Sequence, residues 1–141
     1  MKKALEEIFA NIDKDKGAKL NRLIELQIIN IEKLVNEVIS SKNTKYMYLT
    51  AKHVNNAPVE ELAKGVIATK NAEYIYKFAN DIKGVTIEEL AKGVIATKNA
   101  FMIYYFAYNI KGAPINELTE AIITTKDANY IYRLARDIKG A

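Results

Sequence analysis

An all-α protein assembled from two-helix repeats is predicted by three features of the 141-residue sequence. The chain has an internal period of 28 residues. Within each period the apolar residues fall three and four apart. Each period is also punctuated by residues that start and stop helices. The phrase EELAKGVIATKNA at 60–72 recurs unchanged at 88–100. In register with it, the chain divides into PVEELAKGVIATKNAEYIYKFANDIKGV (58–85), TIEELAKGVIATKNAFMIYYFAYNIKGA (86–113) and PINELTEAIITTKDANYIYRLARDIKGA (114–141). A more diverged copy, NIEKLVNEVISSKNTKYMYLTAKHVNNA, precedes them at 30–57. A period of this length marks a stack of supersecondary units.

Taken in order, residues 1–29 stand outside the repeat phase. They are expected to form a helix at about 3–12, a polar break DKDKG at 13–17 and a helix from about 18. No Gly or Pro separates Leu20 from Val38, so this helix either runs into the first repeat or stops short of it. Both arrangements make the segment an N-terminal helical cap.

The first helix of a repeat opens at Thr86, where Thr86 and Glu89 have the spacing of a capping box. Pro58 and Pro114 stand at the same place, and Pro suits a first helical turn. Val59, Leu62, Ala63, Val66 and Ile67 form one apolar stripe. Gly65 and Gly93 interrupt this helix at a cost of about 1 kcal/mol each relative to Ala, which points to a close approach by a neighbouring element. A Thr-Lys-Asn turn follows, and Asn43, Asn71, Asn99 and Asp127 are placed to cap the second helix. That helix turns Tyr74, Ile75, Phe78, Ala79 and Ile82 inward. Ala51, Ala79, Ala107 and Ala135 mark tight contacts along it. It is expected to stop at Lys-Gly, with Gly84, Gly112 and Gly140, and Asn56 in the diverged copy, in a left-handed Schellman C′ position.

This architecture resembles the α-solenoid class, the HEAT, armadillo and tetratricopeptide-like arrays, over residues 30–141. The period is shorter than theirs, and the tetratricopeptide Trp-Leu-Gly signature is absent. The resemblance implies a right-handed α-solenoid in one domain, 1–141, with cap 1–29 and repeats 30–57, 58–85, 86–113 and 114–141. The pattern DAxYIYxxAxxIKGA at 127–141 is similar to short repeats in proteins of low-GC bacteria and their phages. No activity is attached to that pattern, so it assigns no functional residue.

Half of the residues are apolar, 27% are charged, and the net charge is +4, a composition that suits a folded, soluble chain. The absence of cysteine excludes disulfides, Cys-based zinc sites and thiol catalysis. Glu6 and Glu7 interrupt the basic N-terminus before a signal-peptide core can form. No apolar run approaches the 18 or so residues of a membrane span. A cytoplasmic protein is expected.

Little catalytic chemistry is legible. His53 is the sole histidine and occupies a repeat position shared with Asp81, Asn109 and Asp137, which reads as solvent-facing. Glu60/Glu61 and Glu88/Glu89 lie in first turns, where the helix dipole favours carboxylates. The expectation is a non-enzyme without cofactor or metal. Tyr48, Tyr76, Tyr104 and Tyr132 recur in all four repeats, and Tyr46, Tyr74 and Tyr130 in three, with Met102 in the other. They are expected to form a packed aromatic spine with hydroxyls at its rim. Lys42, Lys70, Lys98 and Lys126 form one row and Lys83, Lys111 and Lys139 another. Such a row suits a nucleic-acid backbone, although +4 is a low charge for that role, and lysine is also favourable near a helix C-terminus without any ligand.

Positions that vary between repeats are free of packing demands and are expected to face solvent. On the second helix these are Lys45/Glu73/Phe101/Asn129, Leu49/Lys77/Tyr105/Arg133, Lys52/Asn80/Tyr108/Arg136 and His53/Asp81/Asn109/Asp137. In the third repeat the face becomes Phe101, Tyr105 and Tyr108, the residue type that anchors interfaces. Lys77, Arg133 and Arg136 are expected to rim it and to suit an acidic partner. Cover by the N-terminal helices or by a bend of the stack is the competing expectation. The function expected is a protein-binding module, an adaptor or inhibitor, with self-association as a homodimer and nucleic-acid binding along the lysine rows as alternatives.

Overall fold

The computed structural model describes residues 2–138, with side chains from residue 4 onward. Every regular element among these residues is helical. The helices are α1 (Lys2–Phe9), α2 (Ile12–Asp15), α3 (Ala18–Glu25), α4 (Ile31–Ser40), α5 (Thr44–His53), α6 (Val59–Thr69), α7 (Ala72–Asp81), α8 (Ile87–Ala96), α9 (Ala100–Asn109), α10 (Ile115–Thr125) and α11 (Ala128–Asp137). The all-α expectation holds. The starts of α4, α6, α8 and α10 are 28 residues apart, and so are those of α5, α7, α9 and α11. Residues 1–69 and 70–141 form two compact units.

The turn joining the two helices of a repeat shows why Thr-Lys-Asn recurs. The hydroxyl of Thr97 donates to the Val94 carbonyl at 2.6 Å and accepts from the Asn99 amide at 3.3 Å. Ser41 and Thr125 make the same pair of bonds. One side chain thus closes a helix C-terminus and holds the residue that caps the next helix. Asn43, Asn71, Asn99 and Asp127 each accept from the amide three residues on, as expected. Between hydroxyl and cap the lysine adopts a left-handed backbone, with φ of 57° to 60° at Lys42, Lys70, Lys98 and Lys126. L-residues with a Cβ pay about 1 kcal/mol or more for that conformation.

The exit from the second helix differs from expectation. α7 and α9 end at Asp81 and Asn109, and Ile82 and Ile110 follow in extended conformation. These isoleucines are buried. Their burial ends the helix before Lys-Gly and removes the Schellman geometry. Gly84, Gly112 and Asn56 do have positive φ, at 84°, 82° and 59°. They are the third residue of a β-turn, closed by Ala57 N to Val54 O at 3.3 Å and Ala113 N to Ile110 O at 3.2 Å; a positive φ there is the type II requirement. Gly140 and Lys139 lie outside the described residues. Thr86 is an N-cap, but the side-chain capping bond expected of it is not made.

In the unit 1–69, the segment before the first repeat departs from the expected helix at 3–12 and break at 13–17. α1 stops at Phe9, and part of the expected break forms the turn α2. The helix from 18 does not run on. Gln27 takes φ 60°, the amides of Ile28 and Ile29 bond back to the Leu23 carbonyl, and Asn30 caps α4 afresh. The segment is also closer to the repeat phase than its sequence suggests: α3 ends at Glu25, 28 residues before the end of α5. Asp15, 28 before Asn43, accepts from the Gly17 and Lys19 amides. The core of this unit includes Leu5, Phe9, Val38, Met47, Leu62 and Val66. Gly65 packs against α5, where a Cβ would stand 3.0 Å from Met47 Sδ. This is the close approach inferred for a mid-helix glycine.

In the unit 70–141, Ile75, Phe78, Leu90, Ile103, Phe106 and Leu118 are fully buried. Ala79 and Ala107 are buried as expected; Ala135 is exposed. The second helices α7 and α9 pack on one another, as do α9 and α11. α9 is thus flanked by a helix on each side.

Candidate functional site

The helix α9 carries no charged residue. Its buried side presents Ile103, Phe106 and Ala107, and its opposite side carries the aromatic trio. Phe101 is 46% exposed and Tyr108 55% exposed, and Tyr105 is half-buried between them. The trio extends into a larger aromatic cluster. Phe101 meets Tyr105 at 4.7 Å between ring centroids and Tyr130 of α11 edge-on at 5.8 Å. Tyr104 lies beneath, stacked on Tyr108 at 5.8 Å and edge-on to Tyr105 at 5.4 Å. Edge-to-face and offset contacts at these distances suit the ring quadrupole. Rings this mutually supported lose little freedom when another surface settles on them.

Tyr104 is buried, and its hydroxyl donates to Asp137 Oδ2 at 2.6 Å. Arg136 grips the same carboxylate with Nε at 2.6 Å and Nη2 at 2.8 Å. The hydrogen bonds from Arg136 and Tyr104 hold the Asp137 carboxyl down to about 2. The same bond to Asp137, together with burial, pushes the Tyr104 phenol up to about 12. A phenol held neutral in this way is a structural donor locking α11 to α9, and it gains no nucleophilic or basic character.

The expected basic rim is only partly free. Lys77 pairs with Glu73 at 3.2 Å and also lies over the Tyr74 ring at 4.9 Å. Arg133 sits over Tyr130 at 5.4 Å, and Arg136, besides gripping Asp137, sits over Tyr132 at 5.6 Å. The three cations stiffen the aromatic surface as much as they charge it. Lys42, Lys70, Lys98 and Lys126 are all exposed.

On the other flank of α9 an open groove of about 820 Å³ lies between α7 and α9. Phe101, Met102, Tyr105 and Asn109 line it from α9, and Tyr76, Glu73 and Lys77 from α7. The caps Asn71 and Asn99 stand in its lining at the helix N-termini. Sequence comparison found the exposed trio but not this groove, whose other wall comes from residues that differ from the trio in character. Among the described residues no group of three or more His, Asp or Glu side chains could hold a metal ion, and no helix is long and apolar enough to cross a membrane.

Three expectations are corrected. His53 is not solvent-facing: its side chain is 9% exposed and its Nε2 lies 2.9 Å from Asp13 Oδ1. Leu49, counterpart of Tyr105, is 3% exposed and belongs to the core. Both are covered, Leu49 fully and His53 in part, in the unit that carries the N-terminal segment, where Phe9 also stacks on Tyr46 with centroids 4.6 Å apart. The tyrosine spine is not uniform either. Tyr48 and Tyr104 are buried, Tyr76 is intermediate and Tyr132 is 59% exposed.

Comparison with protein-family models, with curated proteins and with solved structures finds no match.

Proposed function

We propose that the protein is a non-catalytic, solenoid-type repeat module that binds a protein partner through the outer face of α9, as an adaptor or an inhibitor. The observation that carries this reading is the exposure of Phe101 and Tyr108, 46% and 55%, on a helix without a single charge. Isolated exposed apolar residues are ordinary, but rings packed together beside an open groove are the composition of an interface anchor. Burying each ring fully would contribute about 1.5–3 kcal/mol. The 28-residue recurrence of helix starts supports the solenoid part of the reading.

The test is a double variant, Phe101→Lys with Tyr105→Lys, compared with the wild type for partner capture and for sedimentation. Loss of capture with unchanged helical content is expected. A double variant that captures the same partner as well as the wild type would remove the proposal. Binding that collapses steeply between low and moderate salt, with the double variant unaffected, would instead favour a nucleic-acid ligand on the lysines.

A further inference from the structure

The molecule contains one α9-like face that is already occupied. α5 is the counterpart of α9, and its positions Asn43, Tyr46 and His53 correspond to Asn99, Met102 and Asn109 in the α7–α9 groove. In the first unit the segment α1–α2 runs along these positions. Leu5 and Glu6 line a pocket with Asn43 and Tyr46. Phe9 stacks on Tyr46, and Asp13 bonds His53. Leu5 and Phe9, one turn apart on α1, stand at the N-terminal half of α5, and Asp13 of the separate turn α2 stands at its C-terminus. Glu6 lines a pocket at the start of α5, beside the Asn43 cap, where the helix dipole favours a carboxylate.

The α7–α9 groove has the same polarity with a more aromatic wall. Lys45 and Leu49 of α5 are replaced by Phe101 and Tyr105. One end of the groove is formed by the N-termini of α7 and α9, each preceded by an exposed lysine, Lys70 and Lys98. Neither lysine forms an ion pair among the described residues, and Glu73, the acidic residue in the groove lining, is already paired with Lys77. That end therefore complements negative charge.

We infer that the α7–α9 groove takes an acidic amphipathic helix of a partner protein, parallel to α9, with apolar side chains four residues apart on Met102 and Tyr105 and carboxylates at the Lys70–Lys98 end. The inference rests on the protein-binding reading above and names the class of ligand for that surface. A helix suits the groove because α1 already sets Leu5 and Phe9 at the counterpart positions Asn43 and Tyr46, and because anchors at four-residue spacing are how a helix enters an apolar groove.

The probe is a 14-residue capped peptide with the sequence of residues 2–15 carrying Lys2→Glu and Lys3→Glu, added to the full chain and followed by amide chemical shifts. Saturable shifts are expected along α9 from Phe101 to Asn109 and at Tyr76 and Lys77, with a rise in peptide helicity. Affinity should fall at least tenfold in the Phe101→Lys/Tyr105→Lys variant. A peptide further altered by Glu6→Lys and Glu7→Lys should also bind at least tenfold more weakly. Shifts confined to α5, absence of shifts, or equal binding of this less acidic peptide would overturn the inference. So would concentration-dependent self-association of the wild type that the double variant abolishes, because the groove would then serve a second copy. If partner capture depends on Phe101 and Tyr105 but the peptide leaves α9 unshifted, the protein-binding reading stands and only the helical, acidic ligand is lost. Capture indifferent to the double variant removes the reading itself.

Discussion

α5 and α9 are the same helix of the repeat, begun by the same Asn cap and the same left-handed lysine, yet one is covered at Leu49 and His53 and the other is open at the matching positions. On α5, Leu49 is buried, the His53 side chain is 9% exposed, and Phe9, Asp13 and Gly17 lie against Tyr46 and His53. On α9, Phe101 and Tyr108 face outward. Lys45 and Lys52 stay exposed, as their counterparts Phe101 and Tyr108 do, so the two faces differ at Leu49 and His53 against Tyr105 and Asn109. At those two positions exposure follows what the chain brings to the helix.

The contrast gives graded expectations. Phe9→Ala should cost about 3–5 kcal/mol in chemical denaturation, because it removes a buried ring from the seal. Phe101→Ala should change stability by less than about 1 kcal/mol, since that ring is half in water. Equal losses at the two sites would erase the distinction between the faces. Gly17→Ala should cost about 3 kcal/mol. Its φ is +79°, and a Cβ there would stand 2.8 Å from both the Cβ and the carbonyl oxygen of His53. Gly112→Ala, at φ +82° with nothing within 4 Å of the added Cβ, should cost only about 1 kcal/mol.

How much of this was legible in the sequence follows from where the causes lie. The caps at Asn43, Asn71, Asn99 and Asp127, the close approach at Gly65 and the aromatic trio depend on residues near in sequence or on comparison between repeats, so they could be read. The seal over α5 depends on Phe9 meeting Tyr46 and Asp13 meeting His53, pairs that are 37 and 40 residues apart and leave no periodic trace. Variation between repeats suggests a position facing solvent. At Leu49 and His53 it marks instead a neighbour present at that repeat and not at the others. The helix ends were misplaced for a simpler reason: burial of Ile82 and Ile110 competes with one more helical turn and wins.

Two smaller effects bear on the open face and on what the faces share. The Tyr104–Asp137 bond underlies the open cluster, and its pH dependence is directional. Tyr104, raised from 10 to about 12, contributes fully below pH 10, and its contribution is lost as pH rises through about 12. Asp137, lowered from 3.8 to about 2, contributes above pH 4, and its contribution is lost as pH falls through about 2. Tyr104→Phe should therefore flatten the alkaline limb of a stability–pH profile between 10 and 12 and leave the melting of the first unit unchanged. Lys42→Gly and Lys98→Gly should each stabilise by about 0.5–1 kcal/mol, to the same extent, because both relieve one left-handed residue in the same turn. Unequal gains, read from paired denaturation midpoints, would show that the turn beneath α5 differs from that beneath α9.

The Thr-Lys-Asn connector closes all of its hydrogen bonds within a few residues of chain, from the Val94 carbonyl to the Met102 amide in the third repeat. Nothing in that junction depends on which unit comes before or after it. A genetic duplication of one whole 28-residue block would therefore carry this helix stop and cap with it. An insertion one residue shorter would rotate every following side chain by about 100° about its helix axis. Lineages of such a chain can be expected to vary in length by whole blocks and seldom by fractions of one.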